Sequence, residues 1–150
     1  MIYVDADACP VKAEVLKVAT RYDVPVRFVA NTPLQLPTRP SIEMVVRSGF
    51  GGVDDWITEQ AAAGDIVITA DIPLAARCLE KNARVLSPKG RAFTDNDIGD
   101  ALAARGLMDE LRQSGVVSGG PAPMTQQDRS RFLSRLDETI HAVRRAYPPA

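Results

Sequence analysis

The sequence is poor in the side chains that most often mark chemistry. Its 150 residues hold two cysteines, Cys9 and Cys78, and a single histidine, His141. Two cysteines are too few for a disulfide framework, and they lack metal-pair spacing. Cys9 lies near a helix start, where the dipole acidifies a thiol. A nucleophilic cysteine also needs a general base, and the one histidine falls in the last predicted helix, so thiol hydrolysis is not the expected chemistry. Cys78, set among Ala, Arg and Leu on a predicted helix, reads as a small core residue. Long hydrophobic runs are missing too. No apolar stretch approaches 18 residues, so no membrane span is expected. The first residues show no basic, apolar and small-residue succession of a signal peptide, and a cytoplasmic protein is expected. With a net charge of −1 and a pI near 5.8, the chain has no overall pull towards nucleic acid. Only a local basic patch could provide one.

What is present is an ordinary globular composition, 45% hydrophobic and 25% charged, in a length that suits one domain over 1–150. Five short runs rich in Val and Ile, at 1–5, 25–30, 42–47, 65–71 and 83–87, read as strands. Helical spacing of apolar residues falls between and after them, at 10–22, 54–63, 72–82 and 95–113. Strands that alternate with helices and are themselves almost continuously apolar predict a three-layer α/β/α fold with a mainly parallel sheet. The proline-rich stretch 31–41 and the Gly/Pro-rich stretch 114–124 read as loops. A last helix over 125–147 carries a Thr125–Asp128 capping pattern. It reads as an appended element, packing on the core or on a partner chain, which makes a homo-oligomer through this helix an expectation.

Ligands of open α/β sheets bind at the carboxyl ends of the strands, and there the sequence puts acids. Asp5 ends the first strand, Asp7 follows it, and Asp71 ends "ITAD". Asp54 and Asp55 follow "SGFGG" after the third strand. If these carboxylates converge, they raise one another's pKa unless a cation neutralises them. An all-oxygen donor set without His or Cys suits Mg²⁺ or Mn²⁺, ions that activate water and stabilise charge on a phosphoryl group. Each acid also has a structural reading. Asp7, Asp54 and Asp71 could cap helices, and Asp95 and Asp97 read as caps. Asp5 resists that reading, because it precedes any helix and its unpartnered burial costs several kcal/mol. Glu14 reads as solvent-exposed, Trp56 as packing, and Gly51 and Gly52 as turn residues. In "SPKGR", Lys89 and Arg91 could hold a phosphate. Arg129, Arg131, Arg135, Arg144 and Arg145 make the last helix basic, either as a solvated face or as a nucleic-acid contact.

The motifs "VDADACPVK", "GDIVITADIPLA", "LSPKGRAFT", "RGLMDELRQSG" and "GGPAPMTQQDRSRF" resemble the bacterial YaiI/YqxD family of uncharacterised proteins along nearly the whole chain. That family is grouped with PIN-like domains, whose characterised relatives are Mg²⁺- or Mn²⁺-dependent nucleases. The resemblance implies Asp5, Asp7, Asp54 and Asp71 as the catalytic and metal-binding acids, with Asp55 as a further ligand. It also implies a departure, since the family usually has an acid after the Phe of the third-strand loop and here Gly51 follows Phe50. Three functional readings stand. The first is a metal-dependent nuclease, with RNA as the expected partner. The second is a non-catalytic PIN-like scaffold that binds RNA or protein. The third is a haloacid-dehalogenase-like phosphatase with Asp5 as nucleophile, which would need a late acidic pair and a cap insertion.

Overall fold

The β-branched runs become five short strands that form one sheet. The computed structural model describes residues 1–7, 9–99 and 123–148. Strands β1 (Ile2–Asp5), β2 (Val26–Ala30), β3 (Ile42–Val46), β4 (Ile66–Ile68) and β5 (Arg84–Leu86) lie in the order β3-β2-β1-β4-β5. Every pairing is parallel, with Ile2 opposite both Val26 and Ile66. Parallel strands need covering on both faces, and helices α1 (Lys12–Tyr22), α2 (Gly52–Gln60), α3 (Ile72–Glu80) and α4 (Gln126–Ala146) supply it. The period-two alternation of the strands divides the core. Ile2, Val4, Phe28 and Ile68 pack with Val15 of α1 and Phe132 of α4. Tyr3, Val29, Val67 and Val85 pack with Ile57 of α2 and Leu74 of α3. The result is the expected three-layer, PIN-like arrangement with a C-terminal helix.

The differences from the sequence reading have local causes. The strand expected over 65–71 stops at Ile68, because the next residues turn the chain into α3. The helix expected over 54–63 instead spans Gly52–Gln60, since Gly51 adopts a left-handed cap conformation and Ala61 is extended. The 31–41 loop is less superficial than its prolines suggest, for Leu34 and Leu36 pack against the α1 side of the core. The helix expected over 95–113 is seen only in part. Residues 95–99 are helical behind a reciprocal Thr94–Asp97 cap, and the remainder, with most of the 114–124 loop, lies outside the described residues. Among the described residues no helix is long and apolar enough to cross a membrane.

Helix α4 starts at the expected Thr125–Asp128 capping box and buries Phe132, Leu136 and Ile140. Polar ties fix it along α1. Tyr22 donates to Asp137 Oδ2 at 2.6 Å, and Arg129 Nη1 donates to the Pro10 carbonyl at 2.7 Å and to Glu14 Oε1 at 3.1 Å. Glu14 is thus not the solvent-exposed residue expected, but one half of an ion pair under α4, with its Oε2 buried and unpaired. Arg131 pairs with Asp128 and Arg144 donates to the Tyr22 carbonyl. Three of the basic side chains on this helix are therefore engaged within the chain.

The turn after β5 is wedged against α4 through Gly90. Its φ is +84°, and an added Cβ would stand 2.7 Å from the Phe132 amide nitrogen and 2.8 Å from the Arg131 carbonyl carbon. Gly90→Ala is expected to cost about 2–4 kcal/mol, through left-handed backbone strain and forced separation from α4. Urea unfolding would measure it, and a change below about 0.5 kcal/mol would show that the contact is not tight.

Candidate functional site

The sheet order reverses direction beside β1: the chain leaves β1 through α1 towards β2, and later leaves β4 through α3 towards β5. A crevice therefore opens between the carboxyl ends of β1 and β4, the usual ligand position in such sheets. Asp5 is the last residue of β1. Across from it stands Thr69, buried just beyond β4. The Thr69 hydroxyl donates to Asp5 Oδ2 at 2.8 Å and accepts the Asp71 amide at 3.0 Å. Asp71 in turn accepts the Leu74 amide through Oδ1 at 3.0 Å, capping α3 as its structural reading expected. Thr69 was not among the residues singled out from the sequence. Its only signal is a hydroxyl residue between the apolar run "IVI" and the acid of "TAD".

Asp7 is not a helix cap. Its Oδ2 accepts the Asn31 amide at 2.9 Å, tying the turn after β1 to the end of β2, while the α1 N-cap is Val11, with no side-chain cap. Asp54 does not cap either. The α2 N-cap is Gly51, with Asp54 and Asp55 in the first turn. Two clefts share Asp5, Asp7 and Asp71. One, of about 330 Å³, is walled by Asn31, Phe50 and Asp54. The other, of about 470 Å³, is walled by Cys9, Pro88, Lys89 and Met124. Asp55 lines neither cleft and pairs with Arg77 at 2.9 Å. Arg91 also lines neither, and its exposed guanidinium pairs with Asp97 at 2.9 Å. Of the two basic residues expected at the phosphate, Lys89 is thus at the cleft and Arg91 is turned to Asp97.

Electrostatics set Asp5 apart. Burial pushes its pKa up from 3.8 to about 6 against the opposing Thr69 hydrogen bond, and the charges of Asp54, Asp71 and Asp7 push the same way. Asp54 is also raised, first by burial and then by Asp71, with Arg77 opposing. Burial raises the Cys9 thiol as well, the reverse of activation at a helix start, so it stays protonated at neutral pH. His141 is held far along α4 by Tyr22 and Asp137. The all-carboxylate donor set fits a hard divalent cation such as Mg²⁺ or Mn²⁺. Among the described residues, however, no three His, Cys, Asp or Glu side chains are grouped closely enough to hold an ion as they stand.

A family model described as "Uncharacterized BCR, YaiI/YqxD family" matches residues 3–142. The chain belongs to the YaiI/YqxD family. A UPF0178 protein of Rhodospirillum centenum is 55% identical over 149 residues, covering 96% of this chain and 97% of that relative. UPF0178 proteins of Paramagnetospirillum magneticum and Brucella suis are each 54% identical, covering 98% and 97% of this chain and 98% and 91% of their own lengths. No solved structure matches. The YaiI/YqxD match takes in every residue that lines the two clefts.

Two predictions follow from the Asp5–Thr69–Asp71 arrangement. In the unfolded chain Asp5 titrates near 3.8 and in the fold near 6, so the folded state binds its proton more tightly. Stability is therefore lost as pH rises through that window and is not regained above it. Asp5→Asn is expected to flatten this dependence and to stabilise the protein at neutral pH by on the order of 1 kcal/mol after solvent screening, as thermal unfolding in EDTA from pH 4 to 7 would show. Thr69→Val is expected to cost about 1–2 kcal/mol and to push the Asp5 pKa higher still, since the lost hydrogen bond favours the ionised form. Carboxyl NMR titration would read that shift.

Proposed function

We propose that this chain is a Mg²⁺- or Mn²⁺-dependent nuclease that hydrolyses phosphodiester bonds in RNA. The observation that carries the reading is the meeting of Asp5, Asp7, Asp54 and Asp71, delivered by β1, the turn after it, α2 and the start of α3, around one crevice at the sheet's switch point. Asp5 and Asp54 feel these acidic neighbours as a rise in pKa added to that from burial. Asp5, Asp7, Asp54 and Asp71 are the residues that would hold the ion, with Asp55 drawn to Arg77 instead. A bound divalent cation supplies neutralisation of these carboxylates and of charge developing on phosphoryl oxygens.

The remaining work falls to the chain itself. Thr69 fixes Asp5 through Oδ2, and Asp5 lines both clefts. Without a cation, burial and the neighbouring acids disfavour the Asp5 charge, so of the carboxylates that would hold the ion it gains most from neutralisation. Thr69 keeps Asp5 and the start of α3 in fixed register, and Lys89 offers a positive charge for a neighbouring phosphate.

A second reading, a non-catalytic RNA- or protein-binding scaffold, is favoured by the wide spacing of the carboxylates among the described residues. The phosphatase reading is weaker. It needs an acidic pair after β4, and there Asp71 stands alone with Oδ1 committed to the α3 cap. The test is cleavage of labelled RNA and calorimetric Mn²⁺ binding in wild type, Asp5→Asn and Asp71→Asn. The nuclease reading expects Mn²⁺-dependent cleavage, with at least about a 100-fold loss in either variant and weakened Mn²⁺ affinity. Equal Mn²⁺ affinity in all three proteins would sink the site assignment. RNA binding that persists in EDTA without any cleavage would favour the scaffold.

A further inference from the structure

Among the described residues Phe50 is the one large hydrophobic side chain that is fully exposed, whereas Val46 and Tyr147 are only partly so. It belongs to neither half of the core. A lone exposed apolar residue needs no explanation on a surface, but the position of this one is unusual. It sits between Gly49 and Gly51, whose φ values of +93° and +75° are open to glycine and disfavoured for other residues. Phe50 is thus held in an exposed turn between two left-handed glycines. Phe50 also lines the same 330 Å³ cleft as Asp5, Asp7, Asp54 and Asp71.

The two clefts lie to either side of the shared Asp5, Asp7 and Asp71. A phosphodiester set over those carboxylates would send one neighbouring nucleoside into the Phe50 lobe and the other towards Lys89. Volumes of about 330 and 470 Å³ are those of small-molecule pockets, room for a single nucleoside each. The chemistry of the Phe50 lobe is an aromatic face beside carboxylates. Beside these carboxylates, the ring offers a neighbouring nucleoside an apolar face that suits its base. A paired base keeps both faces stacked inside its helix, whereas an unpaired one can be laid on an aromatic ring.

We propose that Phe50 is the stacking platform for an unpaired base next to the scissile phosphate, and that this contact makes the site selective for single strands. This rests on the nuclease reading of the acidic crevice. It adds a substrate-contacting residue outside the acid set and a reason for the glycines that flank it.

The experiment compares wild type, Phe50→Ala and Phe50→Trp, each as the full chain. The probes are a short single-stranded oligoribonucleotide carrying a fluorescent purine analogue and the same strand annealed to its complement. Binding is read by anisotropy and by quenching of the analogue, and cleavage is read in Mn²⁺. Wild type is expected to prefer the single strand and to quench the analogue. Phe50→Ala is expected to bind the single strand roughly 5- to 100-fold more weakly, the range of one base–aromatic stack. Quenching should be lost with it, duplex binding unchanged, and the loss should appear in KM more than in kcat. Phe50→Trp should restore both binding and quenching. Because the ring touches neither core, unfolding midpoints should coincide across the three proteins.

If wild type cleaves RNA but Phe50→Ala binds and cuts the single strand equally well, the stacking assignment is overturned and the nuclease reading survives. Equal cleavage of both probes by wild type has the same meaning. If wild type neither binds nor cuts either probe, both fall. A Phe50→Ala change confined to oligomeric state would overturn the stacking role in favour of a protein contact.

Discussion

The hydroxyl of Thr69 is the joint on which the acidic crevice depends. It donates to the carboxylate that ends β1 and accepts the amide of the residue that caps α3. Only a group that donates and accepts at one atom can do both, which limits the position to Ser or Thr among small side chains. Because Thr69 is buried beneath the sheet's edge, water does not compete for either bond. The consequence runs outwards. Asp5 cannot rotate away from its negatively charged neighbours, Asp71 is held at the mouth of the crevice, and α3 leaves the sheet at a fixed angle.

Held in this way, the carboxylates are a source of instability that the rest of the fold absorbs. Both faces of the sheet carry a dry core, one under α1 and α4 and the other under α2 and α3. Sites that concentrate unfavourable charge commonly draw on such reserves. Gly51 takes part in the same balance. In the left-handed N-cap of α2 it needs no side chain, and an added Cβ there would lie 3.6 Å from Asp55 Oδ2. An acid at that position would therefore face both backbone strain and another carboxylate, and the glycine relieves both.

Much of this was legible in the sequence. Continuous Val/Ile runs between helical periodicities are enough to call for a covered parallel sheet, and all five strands lie within one to three residues of the expected bounds. The placing of Asp5, Asp7, Asp54 and Asp71 at one edge came from the rule that acids at strand ends face the crevice. What was hidden depends on partners distant in sequence. Asp7 reads as a cap until Asn31 is seen to donate to it. Glu14 reads as solvated until α4 lays Arg129 over it. Asp55 and Arg91 look identical in type to their neighbours at the site, and only their pairing with Arg77 and Asp97 removes them from it. Thr69 carries only the faint signal of a hydroxyl between an apolar run and an acid, since its role exists only once β1 and β4 are side by side.

The contact at Gly90 gives the last helix a meaning beyond packing. The Ser87–Arg91 turn and the backbone at Arg131–Phe132 approach so closely that neither can shift without the other. That turn also forms the Pro88–Lys89 wall of the larger cleft. One wall of the cleft therefore rests on a helix some forty positions further along the chain. Gly90 is thus where α4 bears directly on the wall of the acidic cleft.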